Sequence, residues 1–214
     1  GAGYNVIIWD ASTGSRVRSI TPEAYVYRMA FSRDGKTLSV AGGGRSALGL
    51  IDVETGETVG ALASPLRNEL WAMAYSADDQ MAGIADNRGN FFVFDTTTGK
   101  LLGSGAVKGA IWDMEFSPDG KKVTTCNQLK PFAGIHTWET SAFSVYATLT
   151  LPQIHKDACL DGAYSKTGDA FFSVGMDGVL NAWEVSSGNL LYSKSFGNLV
   201  WSVSISGDGQ ILAV

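Results

Sequence analysis

Apolar and polar positions alternate along most of this chain, in runs of four to eight residues broken by turn-forming residues. That is the period-2 pattern of half-buried β-strands rather than of helices. Between residues 25 and 62, the runs YVYRMAFS, TLSVAG, ALGLIDV and TVGAL read as four successive strands, here a, b, c and d. The Asp-Gly and Thr-Gly pairs between such runs permit the positive-φ or tight-turn geometry of hairpins.

The same unit recurs. An apolar run ending in an acidic residue closes strand c at Asp10, Asp52, Asp95, Glu139 and Glu184, at intervals of 42, 43, 44 and 45 residues. A second marker, an apolar residue followed by Ser and a turn, falls at Ser32, Ser76, Ser117, Ser165 and Ser206. Four-stranded units repeating at this period are the sequence sign of propeller blades. The pattern divides the chain into a half-unit at 1–20, full units at 21–62, 63–106, 107–151 and 152–196, and a half-unit at 197–214.

The residues VIIWD, FSPDG and LNAWE resemble the WD-repeat family of β-propellers, and the likeness runs the length of the chain. Trp precedes the acidic residue only at Trp9, Trp138 and Trp183, while Ile51 and Phe94 stand there in the other units. The resemblance implies an all-β propeller of four-stranded antiparallel blades. Five blades would close by pairing N-terminal strands c and d with C-terminal strands a and b, leaving no open edges. It also implies a hydrogen-bonded tetrad in one unit, from His155, Ser173, Asp177 and Trp183. Pro22, Leu66, Val107 and Phe196 stand at the corresponding His position elsewhere. Although His155, Ser173 and Asp177 have the residue types of a nucleophilic triad, we read them as a buried structural network. HKDAC at 155–159 offers a His and a Cys on one strand face, but His155 is already committed, and no metal site is expected.

Composition narrows the function. With 45% hydrophobic residues, 26 Gly and only 5 Pro, the chain can bury a core and form many tight turns. The net charge of −5 gives no basic field for nucleic acid or anionic lipid. No apolar run reaches membrane-spanning length, and no leader pattern is present, so a cytoplasmic protein is expected. Cys126 and Cys159 are too few for a disulfide framework and are expected as free, partly buried thiols.

Candidate binding residues follow from the repeat. Five positions before each Ser marker stand Tyr27, Trp71, Trp112, Leu160 and Trp201, and seven before stand Tyr25 and Glu69 in the first two full units. In the family, residues near the start of strand a reach the channel mouth, so these aromatics are expected to form a recognition site there. Four before the markers stand Arg28, Ala72, Asp113, Asp161 and Ser202, with Glu115 two residues after Asp113. Asp113, Glu115 and Asp161 would be axial carboxylates. They are read mainly as a hydrated channel lining, with a carbohydrate-active enzyme or small-ligand binder as the alternative. The expectation is a non-catalytic scaffold for a peptide or partner protein, without a cofactor. It would be a monomer if the ring closes and an oligomer by blade completion if not. A designed or excised propeller with no independent function is the third reading.

Overall fold

The computed structural model describes residues 5–22, 25–43, 47–128, 134–141, 143, 149–151 and 155–214. Residues 1–4, where the expected first half-unit begins, and 152–154, where the last full unit begins, lie outside the described residues.

Among the described residues the chain is all β, with no helix and only antiparallel pairing. β1 (Val6–Trp9) pairs with β2 (Arg16–Ile20). Four four-stranded sheets follow, each a meander in sequence order. The first contains β3 (Tyr25–Phe31), β4 (Thr37–Gly43), β5 (Ala47–Asp52) and β6 (Thr58–Ala63). The second contains β7 (Leu70–Tyr75), β8 (Met81–Asp86), β9 (Asn90–Asp95) and β10 (Leu101–Ala106). The third contains β11 (Ile111–Phe116), β12 (Lys122–Asn127), β13 (Gly134–Glu139) and β14 (Leu149–Leu151). The fourth contains β15 (Cys159–Tyr164), β16 (Ala170–Gly175), β17 (Val179–Glu184) and β18 (Leu190–Ser195). β19 (Ser204–Ile205) pairs with β20 (Leu212–Ala213) in a last short sheet.

The turns explain why the meander repeats. At Ser117 the hydroxyl donates to Asp119 Oδ1 and accepts the Lys122 amide, while Asp119 accepts the Lys121 amide. The same local pattern ties Ser32 to Asp34 and Lys36, and Ser76 to Asp78 and Gln80. Each bond forms within five residues, so the a-to-b hairpin is encoded locally.

The sheets pack face to face in series. Leu48 and Leu62 of the first meet Ile84, Phe92 and Phe94 of the second; Phe91 and Val93 of the second meet Met114 and Trp138 of the third. Inner strands are thus buried on both faces, as Phe91, Phe92, Val93 and Phe94 of β9 show, whereas outer β10 and β18 are largely exposed. Each fully buried Phe or Leu contributes about 2 kcal/mol, and the core is spread over the inter-sheet layers rather than centred in any one sheet. The half-sheets join the series, β1 and β2 against Leu38 and Ile51, and the last segment against Phe172 and Leu180 through Val200 and Val203.

Among the described residues β20 makes no ladder with β1, and the two half-sheets stand as separate two-stranded sheets. A two-residue β20 offers little ladder with which to fix a register. The consequence is exposure at repeat positions that are sealed elsewhere: Trp9 is 57% exposed against 1% for Trp138 and 5% for Trp183, and Met29 is 56% exposed against 0% for Met114. One expectation is corrected: Cys126 and Cys159, expected as free thiols, are joined in a disulfide. The third and fourth sheets bring their Cα atoms to 5.2 Å, within disulfide reach, although 33 residues separate them in sequence.

Candidate functional site

The first strand of every four-stranded sheet carries the same irregularity. The pairing register skips between Val26 and Arg28, between Leu70 and Ala72, between Ile111 and Asp113, and between Cys159 and Asp161. The residue left without a partner is Tyr27, Trp71, Trp112 or Leu160, the position that the repeat singled out. A bulge re-aims its side chain and strengthens the local twist, so a bulge repeated in equivalent strands sends these side chains to equivalent places.

They converge on two adjoining cavities. One, of about 290 Å³, is lined by Tyr27, Arg28, Trp71 and Trp112. The other, of about 330 Å³, is lined by Arg28, Trp112, Leu160, Asp161, Trp201 and Ser202. The second draws on the first, third and fourth sheets and on the segment leading into β19. The Trp71 and Trp112 rings lie 4.7 Å apart between centroids at 50°, an attractive tilted contact. Trp71 Nε1 donates to Glu69 Oε2 at 3.2 Å. Gly43 opens the space beside them, since a Cβ there would sit 3.3 Å from the Tyr27 hydroxyl and 3.5 Å from Glu69 Oε1. Trp201 is 63% exposed, and the indole N–H of Trp112 is buried with no acceptor among the described residues. Tyr25 is exposed and lines neither cavity.

Arg28 joins the two cavities. Its Nη1 donates to the Tyr27 carbonyl at 3.2 Å and its Nη2 to the Trp112 carbonyl at 3.0 Å, tying the first sheet to the third.

The carboxylates have a different role from the aromatics. Asp113 Oδ2 accepts the Gly162 amide at 3.0 Å, and Asp161 Oδ2 accepts the Val203 amide at 2.8 Å. Each therefore reaches from one repeat to the equivalent backbone position of the next, as an inter-sheet staple. Burial pushes Asp113 up to about 7, with the Asp161 charge adding to it and Arg28 opposing. Glu115 is raised well above the usual carboxylate range, by burial first and then by Asp113 and Asp161. An Asp at the strand-a position was visible in the sequence; its backbone partner in the next unit, and the part played by Arg28, carry no local signal.

His155, Ser173, Asp177 and Trp183 come together in one chain of bonds. His155 Nδ1 lies 2.8 Å from Asp177 Oδ1, its Nε2 lies 3.0 Å from Ser173 Oγ, and Trp183 Nε1 donates to the same Oγ at 3.1 Å. Burial lowers the His155 pKa, with Asp177 opposing that shift. Asp177 also accepts the Lys156 and Val179 amides. Ser173 and His155 are fully buried, so the Asp-His-Ser order is closed to solvent.

With His155 bonded in this network and Cys159 in the disulfide, the HKDAC pair is committed elsewhere. Among the described residues no group of three or more His, Cys, Asp or Glu side chains is disposed to hold a metal ion, and no helix is long and apolar enough to cross a membrane. A scan of the sequence against protein-family models finds no match, and a search of curated proteins finds no similar one.

Proposed function

We propose that the chain is a WD-repeat-like β-propeller acting as a non-catalytic recognition platform, which holds an extended peptide or a segment of a partner protein over an aromatic mouth. One observation carries this reading: the bulged repeat position supplies Tyr27, Trp71, Trp112 and Leu160, which with Trp201 line two adjoining cavities. Aromatic walls offer large contact area with few rotatable bonds, the property that concentrates binding energy in a few anchors. A carbohydrate-active site at Asp113, Glu115 and Asp161 fits less well. Asp113 is buried, and the Asp113 and Asp161 carboxylates are held by backbone amides of the neighbouring repeat.

The test uses peptides selected on the protein from a displayed random library. Trp201→Ala is expected to weaken the selected peptides by about 2 kcal/mol, roughly 30-fold. Because Trp201 is exposed, its melting temperature should change little. Unchanged affinity in a folded variant would remove the mouth from the interface.

The finer architecture belongs to the same proposal. The four four-stranded sheets are four blades of one five-bladed ring, and the two half-sheets make the fifth, with β20 coming beside β1 to complete it and keep the protein monomeric. The exposure of Trp9 and Met29, and the meeting of Arg28 with Trp201 and Ser202 around one cavity, support it. Hydrogen exchange reads it directly: the amides of residues 6–9 that face away from β2 should exchange slowly. Exchange at the rate of an open edge, or protection that depends on protein concentration, would argue against closure within one chain.

A further inference from the structure

We propose that the larger cavity takes a basic side chain of the bound segment, its ammonium or guanidinium group facing the carboxylate of Asp161 and its aliphatic stem lying against Trp112, Trp201 and Leu160. The inference rests on the recognition reading above and specifies the chemistry of what enters the site.

The charge arrangement is the first support. Asp161 lines the cavity, and only its Oδ2 is committed, to the Val203 amide, which leaves Oδ1 without a hydrogen-bond partner among the described residues. Arg28 lines the same cavity, but its guanidinium is drawn onto the carbonyls of Tyr27 and Trp112. Behind Asp161 stand Asp113 and Glu115, so the axis carries three carboxyl groups against one guanidinium. Burial raises the pKa values of Asp113 and Glu115 first, and repulsion among the three carboxyl groups adds to it. A cation relieves that repulsion, whereas an acidic group would add to it. The net charge of −5 favours the approach of a basic segment as well.

The walls are the second support. Two indoles and a leucine suit the hydrocarbon stem of Lys or Arg, and an indole face attracts a cation by about 0.5–1 kcal/mol at exposed sites and more where desolvated. At about 330 Å³ the cavity accommodates one long side chain.

Linkage adds a signature. A cation beside Asp161 favours the ionised forms of Asp113 and Glu115, so binding should release protons and strengthen as pH rises through about 7. The charged or titratable groups facing Asp113 are Glu115 on its own strand, Asp161 on β15 and Arg28 on β3. Tyr164 on β15, which Glu115 also influences, is raised to about 12 and stays neutral across this range.

The experiment titrates the protein with three capped tripeptides, N-acetyl-Ala-X-Ala-amide with X as lysine, norleucine or glutamate, and follows the indole N–H resonances of Trp112 and Trp201. The lysine peptide should bind at least about tenfold more tightly than the norleucine peptide, and Asp161→Asn should bring the two within about twofold. The Asn side-chain oxygen still accepts the Val203 amide, so the variant should fold. If it does not, the wild-type pH profile decides, with the lysine advantage expected to grow between about pH 6 and 8. Norleucine or glutamate binding as well as lysine, with the indoles still responding, would overturn the basic-group proposal and leave the aromatic mouth standing. No indole response to any of the three would overturn both.

Discussion

Asp113→Asn is expected to stabilise the protein at about pH 8, by as much as on the order of 4 kcal/mol, and to flatten the dependence of stability on pH. The sign follows from the direction of the shift. The folded state raises Asp113 from 3.8 to about 7. Between those values the folded chain holds a proton that the unfolded chain has lost, so stability falls as pH rises through the window and levels off above about 7. Asn carries no charge to desolvate, yet its side-chain oxygen can still accept the Gly162 amide that Asp113 holds at 3.0 Å. Lost attraction to Arg28 offsets part of the gain, and relief of repulsion on Glu115 adds to it. Urea unfolding at about pH 5 and pH 8 checks this. The wild type should lose stability between the two and the variant much less. A variant less stable than wild type at pH 8 would mean that the Asp113 charge itself holds the third and fourth sheets together.

His155→Ala is expected to cost about 3–5 kcal/mol, from the buried ring volume it removes and from the polar partners it leaves unsatisfied. For a domain of this size that lowers the melting temperature by roughly 10 °C. The change strips Asp177, whose side chain is 9% exposed, of its imidazole partner, and Ser173 of the nitrogen at 3.0 Å. Thermal melts of His155→Ala and Trp183→Phe separate the roles. The Phe variant keeps a six-membered aromatic ring but loses the pyrrole half of the indole with its donor to Ser173 Oγ, and should cost about 2 kcal/mol. A loss below about 1 kcal/mol in His155→Ala would contradict the structural reading of the network.

What could be read from the sequence divides along the range of the interactions. The meander was legible because its turns are local: Ser117, Asp119 and Lys122 satisfy one another within five residues. The aromatic repeat position was also legible, since Tyr27, Trp71, Trp112 and Trp201 keep one distance from their Ser markers. The aim of its bulge was not, because a register skip depends on how the partner strand sits. Nothing local links Cys126 to Cys159, or Asp113 to the Gly162 amide, and only the stacking of one sheet on the next makes those contacts. Tyr25 shows the converse failure: it shares the strand start with Tyr27 but lacks the bulge, and it lines neither cavity.

The central claim is that one aromatic mouth receives the ligand, and the ¹⁹F NMR spectrum of the protein labelled with 5-fluorotryptophan tests it most directly. The chain has six Trp residues, each assignable by substitution. On addition of a library-selected peptide, the signals of Trp71, Trp112 and Trp201 should shift together, while Trp138 and Trp183, buried between sheets, and Trp9 on β1 stay in place. A shift at Trp9 with the other five unmoved, or binding that moves none of the six, would contradict the account.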